Sequence, residues 1–193
     1  MKSKYLAFLL FFVLSLGADQ WSKHWARQTL RPSNSPTAAA VVKPNHPIKG
    51  YWEWRYSENP GAAFGLLRDQ PGSRYFFFAI GVICVLAVGS WLYRMPSGAK
   101  WTGLKLGLLA GGAIGNMVDR ALYSRVTDFV VWKITVAGRV FEWPTFNVAD
   151  AALVVGVILI LLDRPRDRMD EPVLDKPTAE SPDVPKQTAS ETV

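Results

Sequence analysis

Apolar residues along this chain gather into four blocks, and charges collect between them. Tyr5 to Ala18 is the first block, preceded by Lys2 and Lys4. Its basic start, short apolar core and small residues Ser15 and Gly17 fit a cleaved leader, but an uncleaved span fits as well if the helix runs on to Trp25. Tyr75 to Tyr93 is the clearest block, uncharged throughout and with aromatic residues at both ends, where membrane interfaces would fall. Trp101 to Val118 is the third, with Lys105 close enough to its start to snorkel. There Gly107, Gly111 and Gly115 recur every fourth residue, which puts them on one helical face and invites a second helix to approach closely. The fourth block spans residues 146–162. The pattern predicts a membrane α-helical protein with four transmembrane helices.

Between the first two blocks lies a polar loop with short β-prone pieces such as Tyr51-Trp52-Glu53-Trp54-Arg55-Tyr56, expected to form a small sheet on the membrane surface. From Asp163 onward the chain is rich in Pro, Asp, Glu, Thr and Ser and lacks an apolar period, so it reads as a disordered acidic tail. The expected division is therefore 1–162, a membrane domain, and 163–193, the tail.

Composition narrows the function classes. Hydrophobic residues are 49% and charged residues 20% of the 193. The net charge of +6 divides into −3 on the tail and +9 on the rest. The basic residues are scattered rather than striped, which suits anionic lipid headgroups and argues against nucleic acid. One Cys excludes an intramolecular disulfide, and two distant His residues argue against a metal site; no cofactor is expected. Four spans put both termini on one side. The basic connector from Arg94 to Lys100 and the basic ends favour the cytoplasm, but Arg27, Arg31, Lys43, Lys49, Arg55, Arg68 and Arg74 in the opposite loop leave the orientation open by charge alone.

The chemistry lies in carboxylates at the block ends: Asp19, Asp119, Asp128 and Asp150. An aspartate at a helix centre in lipid costs about 2.5–3.5 kcal/mol, less near the interface. A structural role is available for each. Asp150 suits a helix cap and Asp119 an ion pair with Arg120. Two carboxylates held close share a proton, so one can activate water while the other polarises a carbonyl. The chain lacks a GxSxG elbow, and Ser22 beside Lys23 is poorly placed for Ser-Lys chemistry. By residues alone an aspartic peptidase and a proton-conducting transporter both remain open, and a singly anchored binding module is disfavoured by the second and third blocks.

Five ordered stretches carry a resemblance to the lipoprotein signal peptidases, or signal peptidase II. Asp19-Gln20-Trp21-Ser22-Lys23 is similar to the family's DQxxK motif and Asn59-Pro60-Gly61-Ala62-Ala63-Phe64-Gly65 to its NPGAAFG segment. The run from Gly111 to Arg120 resembles GGxxGNxxDR, Val126 to Phe129 resembles VxDF, and Phe146 to Asp150 resembles FNxAD. The departures are a longer stretch around Pro32 to Lys49 and the acidic tail. The resemblance implies four transmembrane helices, uncleaved at the first, with a small periplasmic β-sheet and an amphipathic periplasmic segment. It implies a multi-pass protein of the bacterial inner membrane, with both termini cytoplasmic and the active site near the periplasmic surface. It implies an aspartic endopeptidase that removes the signal peptide of prolipoproteins just before a diacylglyceryl-modified Cys. Asp128 and Asp150 match the catalytic pair. Asn116, Arg120 and Asn147 match residues that support the site or bind substrate. Asp19, Lys23 and Asn59 match positions for stability or substrate handling, and Asp119 looks structural. The expected partners are prolipoproteins and membrane lipid, with the enzyme a monomer.

Overall fold

The computed structural model describes residues 3–32, 45–61 and 72–163. Its elements in chain order are α1 (Ser3–Thr29), β1 (Asn45–Ile48), β2 (Trp52–Asn59), α2 (Ser73–Arg94), α3 (Lys100–Tyr123), β3 (Val126–Val136), β4 (Arg139–Glu142) and α4 (Val148–Leu161). The NPGAAFG motif is described only as far as Gly61. Positions 62–65, the tail past Asp163 and the stretches left for an amphipathic segment lie outside the described residues.

Among the described residues two helices, α1 and α2, are long and apolar enough to cross a membrane, with mean hydropathies of 1.3 and 2.2. The 24 residues of α3 have the length, but Lys105, Asn116, Asp119 and Arg120 dilute its apolar character. The 14 residues of α4 are strongly apolar. At about 1.5 Å per residue they reach roughly 21 Å, short of the ~30 Å hydrocarbon core. The outward sides of the helices are apolar and exposed: Leu6, Leu10, Val13 and Leu14 on α1, Ile83 and Leu86 on α2, Val154 and Ile158 on α4. A soluble protein would bury such surfaces, so lipid is the solvent they fit.

The packing of α1 on α3 follows from the glycines. A Cβ on Gly107 would lie 2.5 Å from the carbonyl oxygen of Phe8, and one on Gly115 would lie 2.5 Å from Asp19 Oδ2. Gly103 approaches the backbone of Lys4 and Gly111 the hydroxyl of Ser15 in the same way, so the close face runs the length of α3. On its other side α3 receives α4, where Gly112 faces the Ala149 carbonyl and Gly156 faces Leu109. Lys105, expected to snorkel, is instead only 7% exposed, because α3 is covered by these neighbours. At the far end the Lys4 ammonium donates to the carbonyls of Leu92 (2.7 Å), Tyr93 (3.2 Å) and Met95, closing the C-terminus of α2. A cation there also meets the negative end of the helix dipole.

The four strands form an antiparallel sheet in the order β1-β2-β3-β4. The β-prone loop segment becomes β2, as expected. Its partner β3 begins directly after α3 in Val126-Thr127-Asp128-Phe129-Val130-Val131-Trp132, whose β-branched and aromatic residues suit a strand. Gly138 with positive φ makes the turn into β4. Glu53 bridges Arg55 (2.8 Å) and Lys133 (2.5 Å), and Glu142 pairs with Arg55 (2.7 Å), tying β2, β3 and β4 across one face. Ala26, Leu30, Phe129 and Val130 form the core where the end of α1 meets the sheet, flanked by Trp25, Trp54 and Phe146.

Candidate active site

The start of α4 is fixed by its own side chains. Asn147 is the N-cap, in extended backbone. Its Oδ1 accepts from the Asp150 N–H (3.0 Å), and Asp150 Oδ2 accepts from the Asn147 N–H (3.2 Å). This reciprocal cap satisfies two otherwise orphaned donors and fixes Asp150 at the third helical position, where the dipole favours negative charge. Asn147 thus reaches the site as a cap outside the helix, rather than from a shared helical face with Asp150.

Asp128 comes from β3, held in register opposite Ser57 of β2. The fully buried Asn147 amide donates to Asp128 Oδ1 at 2.6 Å, so one residue holds both carboxylates, Asp128 by its side chain and Asp150 by its backbone N–H. Asn59, at the end of β2, donates to Asp128 Oδ2 at 3.2 Å. Asn59 is held in turn by the Gly61 N–H on its Oδ1 (3.0 Å), a contact that uses φ = 115° at Gly61, open to glycine at little strain. Asp128 is 3% exposed. Burial and the charge of Asp150 push its carboxyl up to about 7, against the opposing pull of the Asn147 and Asn59 amides and of Lys23.

Behind the two carboxylates lies a buried polar layer. Asn116 of α3 donates to Asp150 Oδ1 (2.8 Å) and accepts from Lys23 Nζ (2.9 Å) and Asn147 Nδ2 (3.2 Å). Lys23 pairs with Asp19 at 2.8 Å, and Asp19 Oδ1 accepts from the Ala149 N–H at 2.9 Å, so α1 is keyed into the first turn of α4. Gln20 of the same motif adds a bond to the Gly115 carbonyl (3.1 Å).

All nine residues singled out in the sequence thus fall in one neighbourhood, in linked groups. One local expectation changes. Asp119 does not make its ion pair with Arg120: it binds Arg27 Nη2 at 2.6 Å and the Thr127 N–H at 2.8 Å, with Lys23 at 3.8 Å. Neighbouring helical residues point in different directions, and Arg120 turns the other way. The Arg120 guanidinium lies 5.4 Å from the Phe77 ring and donates to the Asn116 carbonyl at 3.3 Å, while its Nε is buried with no partner among the described residues. Such a donor beside two carboxylates is suited to a ligand. Arg27 was missed in the sequence, although Asp19, Lys23 and Arg27 follow one another at spacing four on α1. Among the described residues no three His, Cys, Asp or Glu side chains are arranged to hold a metal.

Known proteins similar to this chain point to one family. A family model described as "Signal peptidase (SPase) II" matches residues 11–164. A lipoprotein signal peptidase of Xanthomonas euvesicatoria pv. vesicatoria is 40% identical over 156 residues, covering 79% of this chain and 82% of that one. One from Xanthomonas axonopodis pv. citri is 38% identical over 169 residues, covering 86% and 90%. Among solved structures, a bacterial membrane enzyme determined by the in meso method at 1.9 Å resolution is similar with a TM-score of 0.67 and 27% identity, over 89% of this chain and 99% of that one. Fold and relatives together define a membrane-embedded aspartic peptidase. The chain belongs to the signal peptidase II family, the enzymes of lipoprotein processing.

Proposed function

We propose that this enzyme hydrolyses prolipoproteins at the peptide bond just N-terminal to their diacylglyceryl-modified cysteine, with Asp128 and Asp150 as the catalytic pair. The observation that carries this reading is that Asn147 alone, through its side chain and its backbone N–H, holds the two carboxylates together. One carboxylate takes a proton from water as the water oxygen adds to the scissile carbonyl carbon. The other, protonated, gives its proton to the carbonyl oxygen. When the C–N bond breaks, the first returns its proton to the leaving amine, and the re-forming carboxyl group restores the second. Asn116, Asn147 and Asn59 hold the pair, Arg120 offers its free donor to the substrate backbone, and Asp19, Lys23 and Asp119 brace the helices behind them. Cys84, on α2, takes no part; the reacting cysteine belongs to the substrate.

In this reading all four helices cross the bacterial inner membrane, α3 and α4 as spans whose polar ends lie within the protein. Both termini are cytoplasmic, and the sheet and dyad sit at the periplasmic surface. Trp132, Ile134, Phe141 and Trp143, all exposed on the β3–β4 hairpin, suit that interface, where amphipathic rings accumulate. Substrate acyl chains stay in lipid while water reaches the carboxylates from the outer side. Residues 1–162 form the peptidase domain, working as a monomer without nucleic acid, and 163–193 an acidic cytoplasmic tail. The test is incubation of the purified enzyme with a diacylglyceryl-modified prolipoprotein and its unmodified counterpart. Cleavage of the modified form alone is expected, abolished by either Asp128→Asn or Asp150→Asn. Turnover by either variant, or equal cleavage of both substrates, overturns the proposal.

A further inference from the structure

Lys23 is a fully buried cation to which the hydrolysis above gives only a bracing role. Its ammonium has donors and no acceptor, so the Asn116 atom 2.9 Å away must be oxygen. The Asn147 amide nitrogen on the same oxygen imposes the same orientation. The nitrogen of Asn116 is thereby turned to Asp150 Oδ1 at 2.8 Å. Asp150 then meets this donor on one oxygen and the Asn147 backbone N–H on the other, at the N-terminus of a helix. Asp128 sits on a strand, with two side-chain amides and no helix terminus. Each carboxylate thus meets two donors, but only Asp150 has the helix terminus, and one of its donors is aimed by Lys23.

We propose that Lys23 is a positioning residue for the hydrolysis: by fixing the Asn116 amide it keeps a donor on Asp150, so that Asp128 holds the pair's shared proton and Asp150 is the carboxylate that takes the proton of water. The high position of the Asp128 carboxyl agrees with this placement. The charged groups around the pair are Asp19, Lys23 and Arg27 from α1, Asp119 and Arg120 from α3, with Asp128 on β3 and Asp150 on α4. Of these charged groups, Lys23 is the one that bonds the side-chain oxygen of Asn116, which it shares with the Asn147 amide. Without it the amide is held only by the longer bond from Asn147, 3.2 Å against 2.9 Å, and every turn of its oxygen toward Asp150 disfavours a carboxylate there and draws the proton to the wrong partner.

The inference rests on Asp128 and Asp150 being the catalytic pair, and the test separates the two. Purified Lys23→Met is assayed on the diacylglyceryl-modified prolipoprotein across the pH range. The double variant Asp19→Asn with Lys23→Met is run beside it, because it removes both charges of the buried pair and leaves neither unmatched. The expected result is an acid limb of the kcat/KM profile moved up by about one pH unit in both variants, an alkaline limb unmoved in the double variant, whose net buried charge is unchanged, and KM within about twofold of wild type. If Lys23→Met fails to fold, the double variant's profile decides. A bell that is lower but has both limbs in place means that Lys23 only braces the fold, and overturns the inference. Failure of the underlying catalytic assignment shows differently, as turnover by Asp128→Asn or Asp150→Asn.

Discussion

Asp128→Asn should make the protein more stable relative to wild type as pH rises, while abolishing cleavage. Asp128 has its carboxyl raised from 3.8 to about 7. A carboxyl raised on folding favours the folded state most at low pH, and that stability is lost as pH climbs from the unfolded value to the folded one. Each unit is about 1.4 kcal/mol, so ionising this buried group takes about 4 kcal/mol from wild type by pH 8, and about 3 kcal/mol of that loss falls between pH 5 and pH 8. Asparagine does not titrate. It also has a fixed penalty, because its amide nitrogen faces a donor from either Asn147 or Asn59, a mismatch of roughly 1–3 kcal/mol at every pH. The variant should therefore melt at or below wild type at pH 5 and above it at pH 8. The swing in the difference between melting temperatures should be roughly 5–10 °C for a chain of this size. The assay is thermal unfolding of both proteins in one detergent at both pH values, with cleavage measured on the same samples. A difference in melting temperature that is the same at pH 5 and pH 8 refutes the reasoning, because Asp128 would then not be a buried group titrating near neutrality.

Asp119→Asn should lower the melting temperature through the loss of the buried Arg27 pair, by about 3–5 kcal/mol, yet leave measurable cleavage; a stable but inactive variant would place Asp119 in the chemistry. Gly107→Val should separate α1 from α3, because its Cβ would lie 2.5 Å from the Phe8 carbonyl oxygen and 3.1 Å from the Phe12 amide nitrogen, both backbone atoms. Its melting point should fall sharply, whereas Gly89→Val, with nothing within 4 Å of the added Cβ, should leave it within a degree or two.

The positions of the helices were legible because lipid-facing surface must be apolar, and the glycines at spacing four on α3 announced the close helix they receive. The site residues were legible as polar groups in places where an apolar environment makes them expensive. What was not legible follows from geometry that spacing does not carry. The β3–β4 hairpin was not anticipated, although Val126 to Val136 is rich in β-branched residues, because its partner strand β2 lies some 70 residues earlier across two helices. Asp119 was assigned to Arg120 by adjacency, but its partner is Arg27 on another helix, a pairing that spacing along the chain does not reveal. Asn147 was placed correctly beside Asp150 for an incomplete reason: the cap, rather than a common helical face, brings it there.

Asp19 and Lys23 stand one turn apart on α1, which bears on how the chain enters the bilayer. The first helix is synthesised well before α3 can offer Asn116 or α4 can offer the Ala149 N–H. Two isolated charges would each burden its insertion, by about 2.5–3.5 kcal/mol at mid-membrane and by less toward the interface. Paired at i and i+4, they can neutralise each other inside the same helix from the outset. The two side chains can therefore enter as a nearly neutral unit, which exchanges its private ion pair for a shared network when the later helices arrive.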